Sequence, residues 1–296
     1  MTTSPAHTRT GGFSIGLRLT GSFAAQPVIG TASWAKAHGF ACVDLHAVHL
    51  PDVLAWAGHG LTIGTIDLFS REWTDMLSAD EARRRSAVAL GQKFIRKAAA
   101  AGVKQFFTLM LAEDVNLPRT ETFGYMVESY GQLRDALRET GTRIAIEGWP
   151  GCNAHCCTPE SYRAFLKEMN SPAYGINYDP SHLIRMGIDS LRFLKEFAPQ
   201  VVHVHGKDTF IDAERLYDLG HEQAPVFAKG LAWGGSHWRY TIPGAGRAPW
   251  TDLFKELQAV NYRGSVSIEL EDVDYNGTVE GEQRGFLASR DFLQKV

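Results

Sequence analysis

The sequence predicts a single (β/α)8 barrel. Short apolar runs alternate with longer segments of helical period along almost the whole chain, the β-then-α rhythm of a parallel sheet. There are eight such runs, the number that closes a barrel. No linker rich in Pro, Gly or Ser divides the 296 residues. An open doubly wound sheet, the runner-up, should carry a Gly-x-Gly-x-x-Gly after its first strand, and none is there.

Residues 1–12 are small and polar and read as a flexible tail, leaving 13–296 as the domain. The expected strands are 13–19, 41–47, 61–69, 104–111, 143–148, 174–179, 201–206 and 265–270. Between them, Ala87, Leu90, Phe94, Ala98 and Ala101 share one helical face, as do Met126, Tyr130, Leu133 and Leu137, and Tyr162, Phe165, Leu166 and Met169. Thr158-Pro159 is a helix start, a capping hydroxyl followed by a first-turn proline. One connection breaks the rhythm. Residues 209–249, between the seventh strand and a helix near Trp250, are far longer than an ordinary loop and carry Trp233, His237, Trp238, Arg239 and Tyr240. Long connections in compact domains are usually lids or binding loops. In a barrel this one is expected over the C-terminal mouth, where barrel enzymes place their chemistry.

Composition narrows the function classes. Hydrophobic residues make up 44% and charged residues 21%, a globular mixture with material for a core. Lys and Arg total 30 against 33 Asp and Glu, a formal charge of −3. There is no bulk positive field to hold a nucleic acid. The apolar runs are too short to span a membrane, and the N-terminal residues lack the layout of a secretory signal, so a cytoplasmic protein is expected. Four cysteines, three of them crowded at Cys152, Cys156 and Cys157, make no disulfide framework, and without a partner pair of ligands they make a weak zinc motif.

Barrel strands alternate inward and outward side chains, so parity can be compared with polarity. In 143–147, Ile144 and Ile146 take the helix-facing parity and Glu147 points inward at the top. Asp179, His205 and Glu269 reach the same position on the next three strands, with Val202, Val204, Val266 and Ile268 outward. Three carboxylates facing one another in a narrow mouth repel strongly unless a cation sits between them. Glu147, Asp179, His205 and Glu269 therefore form a candidate site for one divalent ion. The donor set suits Mn, Mg, Co or Zn without choosing among them. His203, one layer lower, reads as a hydrogen-bonded core residue.

The segments Ile146-Glu147, Asp179-Pro-Ser-His182-Leu, His203-Val-His205-Gly-Lys-Asp-Thr209, Ile242-Pro-Gly-Ala-Gly246 and Ser267-Ile-Glu269 resemble, in order, the signature segments of the xylose isomerase-like TIM barrels. That group comprises sugar isomerases and epimerases, inosose dehydratases and apurinic endonucleases. The resemblance spans roughly residues 13–292 and is thin in the N-terminal half. It implies that the four residues above hold one ion, manganese first. From the ketose epimerases it also implies that Glu147 and Glu269 shuttle the proton and that His182 touches substrate. Two departures matter. Ile211 stands where those epimerases carry an arginine, so substrate contacts differ. The strand 104–111 supplies no histidine for the three-zinc endonuclease site, which argues against DNA repair.

A metal that chelates a carbonyl and its neighbouring hydroxyl makes the α-proton acidic, and a Glu beside it can remove that proton. Re-addition on the other face of the same carbon epimerises, addition at the old carbonyl carbon isomerises, and a β-leaving group is expelled. The expectation is a sugar isomerase or epimerase. A lyase acting on a keto sugar or 3-keto glycoside is the alternative, and a barrel that only binds sugar is the alternative of another class. The expected partner is a small sugar, with a homo-oligomer possible and neither nucleic acid nor membrane. Further candidates for substrate contact are Arg18, His46, Trp149, Lys207 and Arg239. For Arg18, the competing reading is a barrel ion pair with Asp44 or Asp67. Gly244-Ala-Gly246 reads as a structural turn, so a phosphorylated substrate is not favoured over a free sugar.

Overall fold

A computed structural model of the chain describes residues 4–69 and 71–296. Eight parallel strands close a barrel, each beside its neighbour in the chain and the last beside the first. They are β1 (Ile15–Arg18), β2 (Cys42–Leu45), β3 (Thr62–Asp67), β4 (Gln105–Thr108), β5 (Arg143–Glu147), β6 (Tyr174–Tyr178), β7 (Val201–Gly206) and β8 (Val266–Ile268). Every one lies inside a run expected to be a strand. Phe106, Ile144, Ile146, Ile176, Val204, Val266 and Ile268 are buried in the core shared with the surrounding helices. Helix Glu81–Ala100 starts where the Asp80 carboxylate accepts from the Ala82 and Arg83 amides. Helix Pro159–Met169 starts in a capping box between Thr158 and Ser161, which satisfies orphan amides at its first turn. The stripe from Met126 to Leu137 is split between two helices, Arg119–Gly131 and Arg134–Thr140.

Glycines inside the barrel make room for functional side chains. The β2–β3 register shifts around Asp44, whose carboxylate turns inward and accepts from the Thr65 amide at 2.8 Å. A Cβ on Gly64 would fall on that carboxylate and touch the His203 ring. Gly64→Ala is therefore expected to cost about 1–3 kcal/mol, as overpacking in a filled interior does. Chemical denaturation would measure it as a lower midpoint at unchanged slope.

Two features differ from the sequence expectation. Within the segment expected to be a flexible tail, Ala6 and Thr8 are buried. The Ala6 amide donates to Gly39, Thr8 pairs with Phe13, and the Thr10 amide donates to Val296. The small polar residues form a turn here: the Thr8 hydroxyl donates to Thr10 O and accepts from the Phe13 amide, and Gly11 and Gly12 take positive φ. The long connection after β7 is also more ordered than a loop. Asp208–Ile211 pairs antiparallel with Trp238–Thr241, and helix Ala213–Leu219 lies between. A second ribbon joins Met110–Leu111 to Ala154–His155. Among the described residues no helix is long and apolar enough to cross a membrane.

Candidate functional site

Glu147 is the last residue of β5, Asp179 follows β6 as the cap of helix Pro180–Arg185, His205 lies near the end of β7 and Glu269 follows β8. Each offers a ligand atom, and these atoms all lie within 4.8 Å of one another in a buried cluster. His205 Nδ1 is 2.6 Å from Glu147 Oε2 and 3.2 Å from Glu269 Oε2. Yet it makes a hydrogen bond with neither, and Asp179 Oδ2 also lacks one, with only ion-pair contacts to Lys207 Nζ at 3.2 Å and His182 Nε2 at 3.4 Å. Buried polar atoms without partners are costly, and three carboxylates with one imidazole are the donor types that bind divalent ions. These residues fit the ion that the sequence suggested.

Around them the barrel interior is wired. Asp44 accepts from His203 Nε2 at 2.8 Å and lies 3.6 Å from His205 Nε2, beyond hydrogen-bond distance, so it places negative charge behind the imidazole without bonding it. The Asn177 amide donates to Glu147 Oε2 at 2.6 Å. His182 Nε2 lies 3.2 Å from Glu147 Oε1, and its Nδ1 lies 2.7 Å from the Tyr240 hydroxyl. An ionised carboxylate only accepts, so Nε2 carries a proton toward Glu147 and, in the neutral ring, Tyr240 donates to Nδ1. Arg18 bonds Asp67 at 2.8 Å and lies 3.1 Å from Glu269, which supports the ion-pair reading, with Asp67 as the partner. Lys207, fully buried, pairs with Glu269 at 2.5 Å, Glu271 at 3.0 Å and Asp179 at 3.2 Å, and its ammonium lies 4.5 Å from the centre of the Tyr240 ring.

Burial by itself would favour the neutral forms of Glu147, Glu269 and Lys207, and their neighbours reverse it. Burial and Glu269 push the Glu147 pKa up, but His205 and His182 hold it below the ordinary carboxylate range. Against burial, Lys207, His205 and Arg18 hold Glu269 well below that range. Against burial, Asp179, Glu269 and Glu271 hold Lys207 well above the usual lysine value. At neutral pH both glutamates are carboxylates, the state a base requires.

Beside the cluster opens a cleft of about 370 Å³. Arg18, His46, Asp67, Glu147, Lys207, Glu269 and Glu271 form its polar side, and Trp73, Phe107, Leu109, Leu111 and Trp149 its apolar side. Of the residues expected at substrate, Arg18, His46, Trp149 and Lys207 line it. His46 Nδ1 is held by Asp67 at 2.8 Å. His182 does not line it; it is sealed between Tyr240 and Glu147 and is placed to orient Glu147. Arg239 is also outside, because its guanidinium bonds Asp272 at 2.9 Å and Asp274 at 3.0 Å. On the ribbon it is Tyr240 whose side chain reaches the site.

The sequence reading put Tyr240 in the long connection without assigning it to the site, and it missed Glu271 and what the anchors of the ribbon hold. Asp208 accepts from the Thr209, Gly244 and Ala248 amides and from the Trp250 indole. Asp272 accepts from the Thr241 hydroxyl and the Ile242 amide as well as from Arg239. The alternation Trp238-Arg-Tyr240-Thr was a signal for a strand, but nothing in it named the partner strand. Cys156 and Cys157 are buried and free, and among the described residues neither belongs to a metal-type cluster.

The profile of the xylose isomerase-like TIM barrels matches residues 32–296. The chain belongs to this family. Other members and fold neighbours divide by reaction. The uncharacterized protein YfiH of Bacillus subtilis is 32% identical over 168 residues, 54% of this chain and 47% of that one. An inosose dehydratase of Clostridium perfringens is 33% identical over 151 residues, 51% of this chain and 48% of that one. This xylose isomerase-like barrel thus spans about half the length of the curated relatives it matches. In fold it resembles the crystal structure of 3-keto-D-glucoside 4-epimerase, YcjR, from E. coli, with a TM-score of 0.67, 17% identity, and coverage of 94% of this chain and 98% of that one.

Proposed function

We propose that this xylose isomerase-like barrel is a divalent-metal-dependent enzyme that moves a proton on the carbon beside the ketone of a keto sugar or related polyol, as an isomerase or epimerase. One observation carries the reading: Glu147 and Glu269 approach His205 from β5 and β8, strands separated by two others, in one buried cluster. Glu147, Asp179, His205 and Glu269 would hold the ion, with manganese the first to supply. When bound, a divalent ion at such a site polarises a carbonyl and a neighbouring hydroxyl and lowers the cost of negative charge on their oxygens.

The chain's own groups do the rest. One glutamate takes the α-proton and the other returns one to the opposite face, which inverts the carbon; return to the former carbonyl carbon isomerises. His182 and Asn177 hold the two oxygens of Glu147, and Arg18 and Lys207 hold those of Glu269, so each base keeps its aim. The second reading is β-elimination by the same bases, supported by the one-third identity to an inosose dehydratase. Incubation with keto sugars and inososes in D2O with Mn2+, followed by NMR and mass spectrometry, separates them. A deuterated product otherwise of substrate mass supports the isomerase or epimerase. Loss of water or of an aglycone supports the lyase. No solvent deuterium and no product with any keto sugar or inosose would sink both.

A further inference from the structure

The cleft beside the glutamates carries more information than its acid–base groups. Its lining holds four carboxylates, Asp67, Glu147, Glu269 and Glu271, against two cations, Arg18 and Lys207. Both cations already face carboxylates, and the one guanidinium nitrogen without a hydrogen bond, Arg18 Nη1, is buried. Arg18 is taken by Asp67 and Glu269, and Lys207 by Asp179, Glu269 and Glu271. A divalent ion would bring the balance of these lining groups only to neutrality. A phosphate group would therefore enter among carboxylates with no unpaired cation to meet it among the described lining residues, which is unfavourable.

The other side of the cleft is apolar. Trp73, Leu109, Leu111 and Trp149 are only half-buried, so large apolar surface faces the opening. This wall is prefabricated. Met110–Leu111 is paired with Ala154–His155, the Ala112 amide donates to Asn153, and the Asn153 side chain donates back to Ala112 O at 2.7 Å. Trp73 stands edge-on to Phe107, whose face carries Arg18 at 4.3 Å. A cleft of about 370 Å³ also exceeds what a lone hexose ring occupies, and binding sites pair such walls with the apolar part of a ligand.

We infer that the substrate is an uncharged keto glycoside: an oxidised sugar ring on the glutamate side joined to an apolar or aromatic aglycone seated on the Trp73–Leu109–Leu111–Trp149 wall. The inference rests on the sugar-enzyme reading above and names its substrate class. Unoxidised glycosides test it, because they lack the ketone and report binding apart from turnover.

Calorimetric titration of the Mn2+-supplied protein with phenyl β-D-glucoside, methyl β-D-glucoside, glucose and glucose 6-phosphate should rank phenyl above methyl by about tenfold or more, since a buried ring face adds apolar contact. Glucose 6-phosphate should bind no better than glucose. Leu111→Asp should erase the phenyl preference, and Trp149→Ala, which introduces no charge, should reduce it. Equal affinity for phenyl and methyl glucosides, tighter binding of the phosphate, or no phenyl glucoside binding at millimolar concentration overturns the inference. Its failure is separable from that of the reaction: a phenyl preference without turnover of any keto sugar sinks the proton-transfer reading alone, and turnover without the preference sinks the aglycone wall alone.

Discussion

Glu147→Gln and Glu269→Gln are each expected to lower kcat by roughly a hundredfold or more on whichever keto sugar the protein turns over, the usual scale for loss of a positioned general acid or base. Gln keeps the shape and one oxygen of Glu but removes the proton acceptor. The two variants should separate in their details. Glu147→Gln disturbs the His182 and Asn177 contacts, whereas Glu269→Gln leaves Arg18 and the buried Lys207 short of a carboxylate. Arg18 keeps Asp67 and Lys207 keeps Asp179 and Glu271, but each buried cation loses one of its carboxylates, so Glu269→Gln should also lower Tm more than Glu147→Gln. Solvent-proton exchange at the α-carbon, measured with metal content held equal, checks the assignment. Undiminished exchange in both variants would remove the glutamates from the chemistry.

Divalent ion binding should raise Tm and depend on all four converging residues. At an ion concentration of about a hundred times Kd the folded state gains about 2.7 kcal/mol, which for a chain of this size corresponds to roughly 4 °C or more. Asp179→Asn should weaken binding by about a hundredfold or more. Its Oδ2 is buried without a hydrogen bond, and second-sphere losses alone commonly cost 10–100-fold. Scanning calorimetry with and without Mn2+, Co2+ and Zn2+, together with elemental analysis of the dialysed protein, measures both effects. A wild-type Tm unmoved by any of these ions would refute the site. Circular dichroism of Asp179→Asn separates lost binding from lost folding.

The barrel and the four converging residues were legible because a barrel strand imposes a period of two. Ile144 and Ile146 take one parity and Glu147 the other, and the pattern recurs through Asp179, His205 and Glu269 until the four positions share one depth. What escaped the sequence depended on contacts between distant segments. Tyr240 meets His182 only because Asp208–Ile211 pairs with Trp238–Thr241, a register set by loop geometry. Arg239 and Tyr240 are adjacent, and once the ribbon exists they point to opposite sides, so the aromatic reaches the site and the guanidinium turns to Asp272. The turn at Thr8 likewise arises from hydroxyl-to-backbone bonds that composition does not reveal.

The ribbon has a further consequence. Buried acids pin both its feet, Asp208 at the return toward Trp250 and Asp272 at the far strand, so residues 212–237 between them hang from a closed clasp. Changing the length of such a segment costs little beyond chain closure, about 0.6 kcal/mol for each doubling. The outer part of this excursion is therefore a natural grafting point, where foreign sequence could be carried while the chamber below keeps its shape.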